Sequence, residues 1–83
     1  MESENEELPI SILVKRSLEK YFSDLHGEYP TNLHALTLSQ LEKPLFEVVM
    51  KETRGNLSKA AGILGINRVT LRKKLRKYGM IEK

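Results

Sequence analysis

The 83-residue chain has no cysteine and no tryptophan, only three prolines, and five aromatic residues, three Tyr and two Phe. Without cysteine there is no disulfide and no cysteine-based zinc site, and two histidines alone make a poor structural metal centre. No apolar run approaches the roughly 20 residues of a membrane span. The start MESENEELP is acidic and lacks the basic and apolar regions of a signal peptide, so a reducing cytoplasm is expected. Equally absent are a glycine-rich phosphate loop, a metal-ligand cluster and paired acids in an apolar setting, so no catalytic constellation and no cofactor site is expected. His26 and His34 stand eight apart around a turn and have no nucleophile in register with them. A domain this small buries about 60% of its unfolded surface, and with disulfides and metals gone, association with a second subunit is the remaining stabiliser.

Charge is present but unevenly placed. Up to Met50 there are four basic residues against nine acidic ones, a net of −5; from Lys51 onward there are ten against two, a net of +8. A solvated surface would scatter both signs, whereas this asymmetry fits a chain that meets a polyanion with one end.

Hydrophobic spacing predicts an all-α chain of four helices. Residues 1–9 read as a flexible acidic tail ending in Pro9. The first helix is expected from about Ser11 to Leu25, because Val14, Leu18, Tyr21, Phe22 and Leu25 share one face, with Gly27 as its stop. Thr31 or Asn32 can cap a second helix whose apolar positions include Leu33, Leu36, Leu41, Leu45, Val48 and Val49, ending at Arg54-Gly55. Pro44 falls inside it and should bend it, or else start a new helix. The remaining segments are a helix-turn-helix over 55–80 and a short tail over 81–83, so that 10–54 is left as a core-forming part.

The helix-turn-helix is the strongest signal. Asn56 can cap a short helix from Leu57 or Ser58 to Leu64, and Asn67 can cap another from Arg68 to about Tyr78. Gly65 lies between them, where the chain must leave the first helix in a left-handed conformation. Ala60-Ala61 lets the two helices approach closely. On the second helix Leu71, Leu75 and Tyr78 share a docking face, while Val69, Thr70, Arg72, Lys73, Lys74, Arg76 and Lys77 occupy the opposite face and flanks. Six basic residues between Arg68 and Lys77, with no acid to offset them, suit the major groove of double-stranded DNA. Asn56 and Ser58 are caps first, at a helix N-terminus that is also a natural phosphate site.

The stretch TRGNLSKAAGILGINRVTLRKKLRKYGM, Thr53 to Met80, closely resembles the C-terminal end of the Fis family of bacterial nucleoid-associated proteins, the factors for inversion stimulation. The resemblance continues more weakly through EKPLFEVVM to Tyr21-Phe22. A related helix-turn-helix closes the NtrC-type activators, which carry a large ATPase for which this chain has no room. The resemblance implies a homodimer whose first two helices intertwine, with Leu18, Phe22, Leu41, Leu45, Val48 and Val49 in the shared core and the second helix bent near Pro44. It implies base contacts from Arg68, to a guanine near each end of the site, and from Asn67. It also implies phosphate or backbone contacts from Asn56, Thr70, Arg72, Lys73 and Lys74, to which Arg54, Ser58 and Lys77 are added on charge and position. Closely spaced recognition helices would bend the duplex, giving a nucleoid-associated protein that acts in chromosome organisation and transcription control. Two departures stand out. Only nine residues precede the first helix, so the family's β-hairpin arm and the stimulation of DNA inversion are not expected. Leu57, Lys59 and Val69 also differ from the common pattern, Val69 standing beside the reading arginine in place of a smaller residue. Two rivals remain, a detached terminal domain of an NtrC-type activator and a protein-interaction module with a basic docking helix.

Overall fold

The computed structural model describes residues 9–81; the acidic segment 1–8 and the last two residues lie outside the described residues. All regular structure among the described residues is helical: α1 (Ile10–Asp24), α2 (Leu33–Glu52), α3 (Leu57–Leu64) and α4 (Arg68–Lys77). The chain divides into two compact units, one up to Thr31 and one from Asn32 onward.

The first unit is α1 and the turn that follows it. The helix begins one residue earlier and ends one residue earlier than its apolar spacing predicts. Val14, Leu18 and Tyr21 are half-buried, but no residue of the helix is fully buried, and Phe22 remains 40% exposed. A Lys20–Asp24 ion pair at 3.3 Å spans one turn of its solvated side. The stop is double: His26 and Gly27 both take left-handed backbone angles, at φ 54° and 91°. Beyond it the Tyr29 ring comes back to within 6.1 Å of the Phe22 ring.

The second unit is α2 with the helix-turn-helix. Asn32 stands at the N-terminus of α2, yet neither it nor Thr31 supplies the expected side-chain cap; the Asn32 carbonyl accepts from the Leu36 N–H at 3.0 Å instead. Pro44 does not start a new helix. One helix runs through it, with Pro44 unable to donate to the carbonyl four residues back. Three of the helix ends share one hydrogen-bond pattern. After α2, Gly55 N–H donates to Met50 O (2.9 Å) and Arg54 N–H to Lys51 O (3.1 Å); after α3, Ile66 donates to Ala61 (3.1 Å) and Gly65 to Gly62 (3.3 Å); after α4, Met80 donates to Leu75 (2.8 Å) and Gly79 to Arg76 (3.0 Å). This pattern needs a left-handed residue at each exit, supplied by Arg54 (φ 54°), Gly65 (φ 74°) and Gly79 (φ 73°).

The core of this unit is Phe46 and Val49 from α2, Ala60 and Ala61 from α3, and Leu71 and Leu75 from α4, ringed by Met50, Leu57, Leu64, Ile66, Tyr78, Met80 and Ile81. The alanines are buried, and their small side chains let α3 pack closely on its neighbours. Phe46, Leu71 and Leu75 are the largest fully buried side chains, and each contributes roughly 1.5–3 kcal/mol of apolar burial. Thr53, also buried, satisfies its hydroxyl by donating to Val49 O (3.0 Å) and Met50 O (3.2 Å). On α2 the apolar residues therefore form two stripes. Phe46, Val49 and Met50 face the helix-turn-helix, while Leu41, Leu45 and Val48 are 39, 44 and 60% exposed.

Candidate nucleic-acid interface

Both short helices start on asparagine. Asn56 Oδ1 accepts from Lys59 N–H at 3.0 Å, and Asn67 Oδ1 accepts from Val69 N–H at 2.7 Å and Thr70 N–H at 3.3 Å. Ser58 is the second residue of α3 and so lies inside the helix; Asn56 is the cap. A cap of this kind is worth about 1 kcal/mol, and here it also fixes where each helix begins. That matters most for α4, whose first turn carries Arg68.

Leu71 and Leu75 anchor α4 in the core, with no exposed surface. The helix is thereby held by one face, and the residues between these anchors are turned out. Arg68, Val69, Thr70, Arg72, Lys73 and Lys77 are exposed, and Arg76 is half-buried. Arg68, Val69, Arg72, Lys73 and Arg76 line a shallow open cleft along the helix. Arg54, Asn56 and Ser58 are exposed at the turn that leads into α3. Every base- and phosphate-contact residue expected from the sequence is thus solvent-accessible, with Lys74 half-buried and in a distinct environment.

Lys74 is paired within the unit. Its ammonium lies 3.1 and 3.2 Å from the two carboxylate oxygens of Glu42 on α2, and the Tyr78 hydroxyl donates to the same carboxylate at 2.6 Å. Lys43 and Lys77 place their ammonium groups 5.7 and 5.8 Å from the centre of the Tyr78 ring, and the Phe46 ring stands 6.1 Å away. Sequence reasoning missed this cluster, although Glu42 lies one helical turn before Phe46 on the same face of α2. Burial pulls the Glu42 carboxyl upward, but hydrogen bonds from Tyr78 and Lys74 and the attraction of Lys74 and Lys77 outweigh it, holding Glu42 below its ordinary value. The Tyr78 phenol is pushed up to about 12, first by its hydrogen bond to Glu42, then by burial and the carboxylate's charge.

These shifts have opposite signs in pH. Glu42 stabilises the fold when ionised, so its contribution is present above about pH 4.5 and is lost as pH falls below that. Tyr78 stabilises it when protonated, so its contribution is complete below pH 10 and drains away between pH 10 and about 12. Tyr78→Phe should cost about 1.5–3 kcal/mol at pH 7, the usual loss of a hydrogen bond to a charged group. Urea unfolding followed by circular dichroism at pH 7 and pH 11 checks this. The gap between wild type and variant should narrow at the higher pH, and a constant gap would show that the bond to Glu42 is not its source.

Among the described residues no group of three or more His, Cys, Asp or Glu is placed to hold a metal ion. No described helix is long and apolar enough to cross a membrane. The match to a protein-family model decides the wider relationship: residues 37–78, from the first third of α2 to the end of α4, match the bacterial regulatory proteins of the Fis family. The chain belongs to the Fis family. It is 55% identical over 73 residues to the DNA-binding protein Fis of Buchnera aphidicola subsp. Schizaphis graminum, covering 87% of this chain and 74% of that protein. It is 56% identical over 72 residues to the DNA-binding protein Fis of Mannheimia haemolytica, with the same coverage. The DNA-binding protein Fis of Buchnera aphidicola subsp. Acyrthosiphon pisum (strain 5A) is 52% identical over 79 residues, or 95% of this chain and 81% of that protein. The Fis match takes in both asparagine caps, the cationic face of α4 and the Glu42–Lys74–Tyr78 cluster, so the whole site described above lies inside the family's shared segment. Membership in a family of regulatory proteins places the chain outside the enzymes.

Proposed function

We propose that the chain is a homodimeric DNA-binding and DNA-bending protein, acting in nucleoid organisation and transcription control, with α4 in the major groove. The observation that carries this is the outward face of α4. Its start is fixed by Asn67, its inner face is spent on Leu71 and Leu75, and what remains is an acid-free surface presenting Arg68, Thr70, Arg72, Lys73 and Lys77. A helix so held can set its first turn against base edges while its flanks neutralise phosphates. The relatives' names, DNA-binding protein Fis, point the same way.

In this reading Arg68, the first residue of α4, pairs with guanine O6 and N7, and Asn67 reaches an adjacent base. Arg54, Asn56, Ser58, Thr70, Arg72, Lys73 and Lys77 hold the phosphates, whereas Lys74, expected among them, is already neutralised by Glu42 in the free chain. The dimer rests on the second stripe of α2. Leu41, Leu45 and Val48 repeat at helical spacing and are open to solvent in the single chain, as is Phe22 on α1, whereas Leu18 is half-buried and Val49 already packs in its own subunit's core. A patch of this kind calls for a partner surface, and a second copy of α1 and α2 supplies one of matching character. Bending follows if the two α4 helices of the dimer stand closer than successive major grooves, which favours A/T-rich centres through shape.

Arg68→Ala is expected to cost about 1–3 kcal/mol on a duplex with a guanine near each end and an A/T centre, and to flatten preference at those ends. Lys73→Ala should weaken binding to that duplex and to a scrambled one alike. Fluorescence anisotropy on both duplexes makes the test. Equal losses on both duplexes from both variants would refute the division of labour, and absence of duplex binding would leave the basic helix as a docking element for an acidic protein.

A further inference from the structure

Val69 is an apolar side chain in a place where the fold has no use for one. It is 61% exposed and lies outside the core cluster that Leu71 and Leu75 enter two and six residues later. It sits in the first turn of α4, immediately after Arg68, and shares the open cleft with Arg68, Arg72, Lys73 and Arg76. Its backbone is pinned, because its N–H is the closer of the two donors to Asn67 Oδ1, at 2.7 Å. Its side chain is pinned as well, since a β-branched residue in a helix has one strongly preferred rotamer. The result is a rigid pair of methyl groups surrounded by cations, at the turn that a recognition helix presents to base edges.

In the major groove the bases offer donors, acceptors and one apolar group, the methyl on pyrimidine C5, carried by thymine and by 5-methylcytosine. We propose that Val69 is a specificity-determining residue that packs on a pyrimidine C5-methyl group next to the guanine met by Arg68, so that the protein reads a methylated pyrimidine beside each guanine. The proposal rests on the DNA-binding reading above and extends it from one base to two. Arg68 supplies polar recognition and Val69 apolar recognition, from adjacent positions of one turn. Burying one methyl against an apolar surface is worth about fourfold in affinity, and two half-sites bound by a dimer multiply to roughly 15-fold.

The test replaces the thymines flanking each guanine by deoxyuridine, which removes the C5-methyl and nothing else, and compares the wild-type protein with Val69→Ala by anisotropy at one salt concentration. A second pair of duplexes carries cytosine or 5-methylcytosine at the same positions, so that the two natural sources of the methyl are told apart. Wild type should lose about fourfold per half-site on the uracil duplex, and Val69→Ala, which keeps only one methyl, should show a smaller difference between the thymine and uracil duplexes. Val69→Ala itself should fold normally, since the position is exposed and alanine is the better helix former. Recovery of affinity on 5-methylcytosine relative to cytosine shows that the methyl is read whichever base carries it; recovery on thymine alone restricts the reading to thymine. Equal affinity of wild type for thymine and uracil duplexes overturns the proposal while leaving DNA binding intact. A thymine preference undiminished in Val69→Ala also overturns it, because the methyl would then act through duplex shape. Failure to bind any duplex overturns the DNA-binding reading itself, and this inference with it.

Discussion

Val49→Asp should unfold the unit built from α2, α3 and α4, whereas Val48→Asp, one residue away, should leave that unit folded and abolish the dimer. Val49 is 9% exposed and packs with Phe46, Ala60, Ala61, Leu71 and Leu75, a set without a polar group to receive a carboxylate. An unpaired charge there costs several kcal/mol, on the order of the whole stability of a domain this small. Val48 is 60% exposed and belongs to the stripe with Leu41 and Leu45, so a charge there leaves the unit's core untouched and strikes only the surface proposed to meet a second copy. Circular dichroism reports the first effect and sedimentation equilibrium the second. A folded Val49→Asp protein would mean that α2 does not carry the core of the helix-turn-helix. A Val48→Asp protein that sediments as a dimer at wild-type affinity would show that this stripe is not the subunit contact.

The affinity for DNA should fall about 10³–10⁵-fold between 50 and 200 mM salt, the range expected when a dimer neutralises 6–10 phosphates. The chain exposes Arg68, Arg72, Lys73 and Lys77 on α4 and Arg54 ahead of α3, enough cations for several contacts in each half of the proposed dimer. Lys73→Ala should reduce the magnitude of the salt slope by about 0.9 for each phosphate contact removed. Lys74→Ala should change it less, because Lys74 is already paired with Glu42 at 3.1 Å. A titration across the salt series with both variants separates the two lysines, although they are neighbours in sequence. Equal changes in slope would show that Lys74 leaves Glu42 for the phosphates on binding.

The two short helices were legible because their ends are written in single residues. Asn56, Gly65, Asn67 and Gly79 each act locally, through a cap or a left-handed turn, and the observed bounds of α3 and α4 follow from them. Asn32 shows the limit of such signals: it has the right side chain at the right position and makes no cap bond. The long helix was legible as a helix but not as a set of faces. Its apolar residues cover two sides, and spacing cannot say which side meets α3 and α4; Phe46 does, at 2% exposure, while Leu45 and Val48 do not. The Glu42–Tyr78 contact joins residues 36 apart and leaves no periodic trace. Of the candidate site, the cationic face of α4 was readable because six like charges on ten residues have no structural explanation. That one of the six is already neutralised by Glu42 depends on how α2 crosses the recognition helix, which charge counting does not contain.

The cap on α4 also limits what the capping side chain itself can say to a base. Asn67 has one acceptor oxygen, and two backbone N–H groups hold it, at 2.7 and 3.3 Å. The amide nitrogen is what remains free. An asparagine reads adenine in the groove by accepting from N6 and donating to N7 together, and this one has no acceptor left to complete that pair without uncapping its helix. Asn67 therefore speaks only as a donor, able to address a guanine or adenine N7, a guanine O6 or a thymine O4, and unable to choose adenine by its amino group.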